Sequence, residues 1–237
     1  MEGNYQEEIK QSKYYENMIE VYADGCRFFG YENVIDAYEK HIIPANFREE
    51  TLNRFSDFYY WCRTRCPGFS SGMLRDYVIP LAGFTVIDKQ LAQDFETWLD
   101  GRKVLEVMSG IGCLAYALQE FGVDIKATDT YDDEYLFNYK EPWVNIEQIG
   151  CIEAVEKYGA DYDILLCSWP RDYYPMVELI DKMREVNPDM IMVYIGEGHG
   201  GCCADYTFFN YAKLVDELPP IKLKSYAGIN DTIMIFK

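Results

Sequence analysis

Apolar and polar positions follow two different rhythms along the chain, and the change comes near Gly101. Before it, Tyr14 to Phe29, Glu32 to Ile42 and Phe47 to Cys66 repeat apolar and aromatic residues every three to four positions, with Gly30, Pro44 and Pro67 as interruptions. That spacing predicts helices. Ile87, Leu91, Phe95, Trp98 and Leu99 form a further helical stripe, and Gly101 is placed to cap it in the left-handed conformation.

Beyond Gly101, short apolar runs alternate with helical patterns: Val104 to Met108, Cys113 to Phe121, Val123 to Thr128, Ile164 to Cys167 and Met190 to Ile195. Strands that are apolar throughout and separated by helices predict a parallel sheet covered on both faces. A third strand is expected within Trp143 to Ile149, behind an acidic, aromatic loop. At the end, Ile221 to Tyr226 alternates, Ala227 to Asp231 offers turn residues and Thr232 to Phe236 is apolar, which predicts an antiparallel hairpin. The chain therefore divides into an α-helical N-terminal extension or lid over 1–100 and an α/β, Rossmann-like domain over 101–237.

The sharpest chemical feature lies at the first of these strands. Val104-Leu105-Glu106-Val107-Met108-Ser109-Gly110-Ile111-Gly112-Cys113-Leu114 reads as a buried strand carrying an acid, then a glycine turn that opens a helix. Such a turn lets backbone approach a nucleotide closely. Gly110, Gly112 and Ala115 also satisfy the Gly-x-Gly-x-x-Ala dinucleotide pattern, which keeps a nicotinamide-dependent oxidoreductase open. Seventeen positions after Gly112 the second strand ends at Asp129, where an acid can accept hydrogen bonds from both hydroxyls of a ribose.

Together these residues resemble the class I S-adenosylmethionine-dependent methyltransferases, over roughly Tyr77 to Lys237. In that family an acidic residue in the first strand precedes a glycine-rich turn, matched by Glu106, Gly110 and Gly112, with Met108 where the family has its first glycine. The resemblance implies the cofactor S-adenosyl-L-methionine. It implies that Glu106 orients the turn or the cofactor's ammonium, that Met108, Ser109 and the residues to Leu114 pack around its methionine part, and that Asp129, with Thr130 beside it, holds the ribose. The family's adenine-binding Asp has no counterpart in Gly150-Cys151-Ile152-Glu153, which leaves Cys151, Glu153 or backbone groups to read the ring.

The fourth strand runs into Ser168-Trp169-Pro170-Arg171, and ligands of doubly wound sheets sit at the carboxyl ends of strands. Ser168, Trp169 and Pro170 resemble a variant of the Asn/Asp-Pro-Pro-Tyr element with which many N-methyltransferases hold an amino group; a Trp and Pro that merely finish a strand fit equally well. A narrower likeness, to a group of bacterial and fungal methyltransferase-like proteins, is carried by Tyr77-Val78-Ile79-Pro80, Trp143-Val144, Ser168-Trp169-Pro170 and the glycine-rich run from Ile195 to Gly201. That run carries Glu197 and His199, candidates with Asp172 for a base, and Asp205 is placed to cap a helix over Tyr206 to Leu218. Trp169, Tyr173 and Tyr174 offer an aromatic surface to a cationic cofactor.

Composition narrows the setting. Of 237 residues 49% are hydrophobic and 26% charged, which fits an ordinary globular chain, and no apolar stretch approaches the roughly 20 residues of a membrane helix. The net charge of −18 repels phosphate backbones and anionic lipid, so nucleic acid and membrane are disfavoured as partners. Eight cysteines and two histidines, without a leader or zinc-ligand spacing, read as reduced thiols in a cytoplasmic protein with no metal. The expected activity is methyl transfer to nitrogen or oxygen of a small molecule or protein side chain; a non-catalytic cofactor-binding or scaffold protein is the alternative. The aromatic N-terminal layer would suit a homodimer.

Overall fold

The computed structural model describes residues 83–87, 89–132, 142–172, 174–216, 218–225 and 229–237. The helices expected within 1–82, and Tyr173, lie outside the described residues.

Helix α1 (Lys89–Leu99) buries Leu91, Ala92, Phe95 and Leu99 and turns Gln93, Glu96 and Thr97 to solvent, the three-to-four spacing read from the sequence. It ends at Gly101, whose φ of 81° is the expected left-handed cap. Strand β1 (Val104–Val107) follows and is buried at every position. Then come α2 (Cys113–Glu120), β2 (Ile125–Asp129), β3 (Ile146–Gln148), α3 (Cys151–Tyr158), a 3-10 turn (Gly159–Asp161), β4 (Ile164–Ser168), α4 (Met176–Val186), β5 (Ile191–Glu197), α5 (Tyr206–Tyr211) and β6 (Asp231–Phe236).

The strands form one sheet in the order β3-β2-β1-β4-β5-β6, parallel except for β6, which runs antiparallel to β5. Alternate residues of each strand face opposite layers. Val104, Ile125, Ala127, Ile164, Leu166, Val193 and Ile195 pack with α1 and α2. Leu105, Val107, Leu165, Cys167, Met192 and Tyr194 pack with α3, α4 and α5 on the other face. Double burial explains why these strands read as unbroken apolar runs. The stripe of Val86, Ile87, Leu91, Phe95 and Leu99 belongs to the first of these layers, so residues before Gly101 share the core of the sheet domain.

The chain end differs in detail from the hairpin expected of it. The antiparallel last strand is present, but its ladder partner is β5, and Ile221 to Ser225 carry no strand. The outer edge of β6 is met by Lys213 to Val215 instead, through a Leu214–Phe236 bridge and the Val215 amide on the Ile235 carbonyl at 2.8 Å. The same pairing explains a correction to α5. Asp205 caps it as expected, accepting from the Phe208 amide at 2.8 Å, but the helix stops at Tyr211 rather than Leu218 because the next residues turn to the sheet edge.

Because β1 leads to β2 and β3 on one side while β4 and β5 lie on the other, the order reverses between β1 and β4. The carboxyl ends of β1, β2 and β4 part there, leaving a crevice at the switch point.

Candidate functional site

A cleft open to solvent occupies that crevice. It is lined by Glu106, Met108, Ser109, Gly110 and Leu114 from the β1–α2 segment, Asp129 from β2, Ser168, Trp169, Arg171 and Tyr174 from the end of β4, and Gly83, Phe84, Thr85 and Ile87 from the approach to α1.

The turn between β1 and α2 is built on positive backbone angles: Met108 at φ 55°, Gly110 at 59° and Gly112 at 76°. Gly112 is required for space as well as conformation, since a Cβ there would stand 2.7 Å from Val144 Cγ2 and 3.0 Å from Ile146 Cδ1. Met108 holds a left-handed conformation that costs a side chain about 1–2 kcal/mol, the kind of strain found at ligand sites. The turn is clamped from β2: the Gly110 amide donates to Asp129 Oδ2 at 2.8 Å, the Tyr131 amide donates to Oδ1 at 2.8 Å, and the Ser109 amide donates to the Thr128 carbonyl at 3.1 Å. Asp129, and not Glu106, therefore orients the turn.

Glu106 is the unusual group. Its side chain is 1% exposed and lines the cleft, yet Oε2 is buried without a hydrogen-bond partner, as is the nearby Ser109 Oγ. Burial, and secondarily the charge of Asp129, push the Glu106 carboxyl up to about 8. An unsatisfied buried carboxyl costs free energy, on the order of 1–3 kcal/mol or more if charged. A ligand that brings a cation or donors to this point would recover that loss.

The β4 wall is aromatic and hydroxylic. Trp169 adopts φ 54°, an outlier for so bulky a residue, and its amide donates to the Ile195 carbonyl at 2.7 Å. Its ring stacks on Phe84 with centroids 5.3 Å apart and planes 15° apart, and its indole Nε1 donates to Asp231 Oδ1 at 2.8 Å. Ser168 and Thr85 share a hydroxyl hydrogen bond of 2.6 Å.

Of the residues singled out in the sequence, the cleft gathers Glu106, Met108, Ser109, Gly110, Leu114, Asp129, Ser168, Trp169, Arg171 and Tyr174. Gly112 supports the turn from behind, and Pro170 is buried, its carbonyl accepting the Ala204 amide at 2.8 Å. Thr130, exposed, and Cys151, at the start of α3 with its thiol pushed up to about 11 by burial, fall outside the cleft lining. Glu197 also lies outside it. Its Oε2 accepts from the Cys202 amide and its Oε1 from the Asn230 amide, both at 3.1 Å, so it ties together two loops. His199 packs against Tyr206, with ring centroids 4.4 Å apart.

Sequence reasoning missed Gly83 to Thr85 as lining residues. The signal available was slight: a Gly-Phe-Thr step just ahead of an amphipathic helix.

No protein-family model matches the chain, and no curated protein matches it. Solved structures do. Magnesium protoporphyrin IX methyltransferase of Synechocystis with bound S-adenosylmethionine is 13% identical, over 76% of this chain and 90% of that one, with a TM-score of 0.42. An S-adenosylmethionine-dependent methyltransferase of Bacteroides fragilis in complex with S-adenosylhomocysteine is 18% identical, over 63% and 78%, at 0.36. A tRNA (uracil-54, C5)-methyltransferase of Pyrococcus abyssi is 16% identical, over 62% of this chain but only 37% of that one, at 0.37. At such identities and scores, function has to be argued from the cleft's own residues.

Proposed function

We propose that the chain is an S-adenosylmethionine-dependent methyltransferase whose cofactor lies across the β1–β2 side of the cleft. The observation that carries this reading is the Glu106 carboxyl, buried at the cleft floor with one oxygen unsatisfied beside the glycine turn. A cationic ligand suits that position, and S-adenosylmethionine has both an ammonium and a sulfonium. The pyrophosphate of a nicotinamide dinucleotide, the group that such a turn receives, brings neither a cation nor a donor to the unsatisfied Glu106 oxygen, which disfavours the oxidoreductase alternative.

The lining suits the amino-acid end and the ribose of the cofactor. Glu106 and the Ser109 hydroxyl would receive its ammonium and carboxylate end, the Met108–Gly110 backbone would pass beside it, and Asp129 at the end of β2 would accept from its ribose. The bound cofactor supplies an electrophilic methyl group. The protein's part is alignment and exclusion of water, which needs few catalytic side chains. Ser168 and Trp169 face the acceptor side, with Pro170 fixing the backbone behind them. The acceptor, a nitrogen or oxygen of a small molecule or protein side chain, would enter there. Kinship with the narrower Ser-Trp-Pro group, a cytoplasmic home and a homodimer go with this reading; the free thiols Cys113, Cys167 and Cys203 suit a reducing compartment.

Isothermal titration with S-adenosylmethionine, S-adenosylhomocysteine and NADH tests the assignment. Binding of the first two, and its loss in a folded Asp129→Ala variant, is the expected result. Preference for NADH, or no binding of any, would overturn it, and binding without transfer to any acceptor would leave a non-catalytic cofactor-binding protein.

A further inference from the structure

We propose that Asp231, which lies outside the cleft lining, is a positioning residue for methyl transfer: its carboxylate tethers the Trp169 indole and so sets the aromatic wall on the acceptor side. This rests on the preceding assignment of the cofactor to the β1–β2 side and of the acceptor to the β4 side.

Trp169 is costly to place where it stands. Its φ of 54° is left-handed, a conformation that bulky side chains rarely adopt, and such strain persists only where neighbours hold the residue in place. The restraints on it act in different ways. The amide bond to the Ile195 carbonyl at 2.7 Å fixes the backbone, and would serve any residue here except proline. Stacking on Phe84, with centroids 5.3 Å apart, favours a plane but lets the rings slide. The 2.8 Å bond from indole Nε1 to Asp231 Oδ1 is directional, so it fixes how far the ring is turned about its side-chain torsions, and it does so from 62 positions away in the chain. A carboxylate makes that bond shorter and roughly twice as strong as a neutral acceptor would.

Asp231 is itself built into the sheet. It opens β6 and pairs in register with Glu197, the last residue of β5. Its amide donates to the Ser225 hydroxyl at 3.1 Å, and the Asn230 amide before it donates to Glu197 Oε1 at 3.1 Å. The tether therefore runs from the antiparallel edge of the sheet, across β5, to the cleft wall that follows β4. Ser168, just before Trp169, is tied in a similar way to Thr85 by a 2.6 Å hydroxyl bond, so consecutive cleft residues are each held from a distant segment. An in-line displacement is sensitive to such walls, since a misplacement of about 1 Å costs about a hundredfold in rate.

The test reads the Trp169 indole directly. Its N–H resonance in the full chain is assigned by its loss in Trp169→Phe, and its position and solvent exchange are followed by NMR with and without S-adenosylhomocysteine. In the parent the resonance should lie downfield, exchange slowly and move when S-adenosylhomocysteine is added. Asp231→Ala should bring it to the free-indole position, speed its exchange about tenfold and weaken its response to the ligand. Asp231→Asn keeps an acceptor oxygen and should restore slow exchange with a smaller downfield shift. A lowered melting temperature in Asp231→Ala with an unchanged indole signal means that Asp231 only supports the fold, and overturns the proposal. Free-indole exchange in the parent overturns it too, whether or not Asp231→Ala folds, as does a Trp169 signal that ignores S-adenosylhomocysteine bound by calorimetry. Failure of the parent to bind S-adenosylhomocysteine, with the indole tethered as expected, overturns the cofactor assignment instead and leaves the tether a feature of the fold.

Discussion

Glu106 on β1 and Glu197 at the end of β5 are both buried acids on strands of one sheet, 1% and 8% exposed, and they do opposite things. Glu197 spends both oxygens on backbone amides of the loops at Cys202 and Asn230. Glu106 keeps one oxygen buried and unsatisfied in the cleft. The first strengthens the fold, and the second costs the fold something it recovers only by binding. Burial alone does not separate these roles; the account of hydrogen bonds does.

The sharpest way to break this comparison is at Glu106. Glu106→Gln removes the charge at nearly constant shape, and affinity for S-adenosylmethionine should fall about a hundredfold, or about 2.7 kcal/mol. In the parent, a carboxyl raised to about 8 must ionise to meet a cation, so affinity should tighten from pH 6 to pH 8 and then level off. Calorimetry in buffers of different ionisation enthalpy should also register a proton released on binding. The unliganded stability has the opposite slope. A carboxyl raised from 4.5 to about 8 contributes stability below its unfolded pKa, and that contribution is lost as pH rises towards 8. The melting temperature of Glu106→Gln should therefore gain on the parent between pH 5 and pH 9. A parent affinity flat across this range would remove Glu106 from the binding site.

At Glu197 the expected outcome is reversed. Glu197→Ala should lose about 2 kcal/mol of stability, the scale of charge-assisted hydrogen bonds, while the folded fraction binds S-adenosylmethionine as the parent does. Chemical denaturation followed by titration of the same sample separates the two quantities. A variant of unchanged stability and weakened binding would move Glu197 into the site.

These two acids also mark how far the sequence could be read. The sheet was legible because double burial writes itself as apolar runs, and α1 because its stripe repeats every three to four residues. The turn at Gly110 and Gly112 was legible because close approach and positive φ leave few alternatives to glycine. Buried strand acids carry no such signature: Glu106 and Glu197 differ in which amides come within reach, and one of the two that satisfy Glu197 belongs to Asn230, 33 positions away. Phe84 was missed for the same reason, since it reaches Arg171 and Trp169 from before α1, far away in the chain. The end of α5 failed because the competing attraction, the open edge of β6, lies outside any local window.

Gly112 tests whether the turn is as exacting as the two acids suggest. Gly112→Ala forces a side chain into φ 76° and against Val144, and should cost about 1–2 kcal/mol from the conformation alone. Binding should weaken with it, because the turn that follows Glu106 and is clamped by Asp129 lines the same cleft. Denaturation and cofactor titration of one preparation would show both losses; a loss of stability with full affinity would mean that the turn shapes the fold and not the site.

Glu147 on β3 extends the comparison to the exposed edge of the sheet, where the smallest effect is expected. Its carboxylate is met by Lys126 at 2.8 Å, Lys157 at 2.7 Å and the Tyr158 hydroxyl at 2.6 Å. Hydrogen bonds from Lys126, then Lys157 and Tyr158, hold it down at about 2. A lowered carboxylate contributes stability above its unfolded pKa and loses it as pH falls through the folded value. Glu147→Gln should thus lower the melting temperature slightly at pH 6, with the difference from the parent closing between pH 5 and pH 2. Because the cluster is open to solvent, the difference should also shrink in high salt. A large, salt-insensitive loss would mean that this edge is covered, and that the contrast between an unsatisfied acid in the cleft and a fully satisfied one outside it is not simply one of burial.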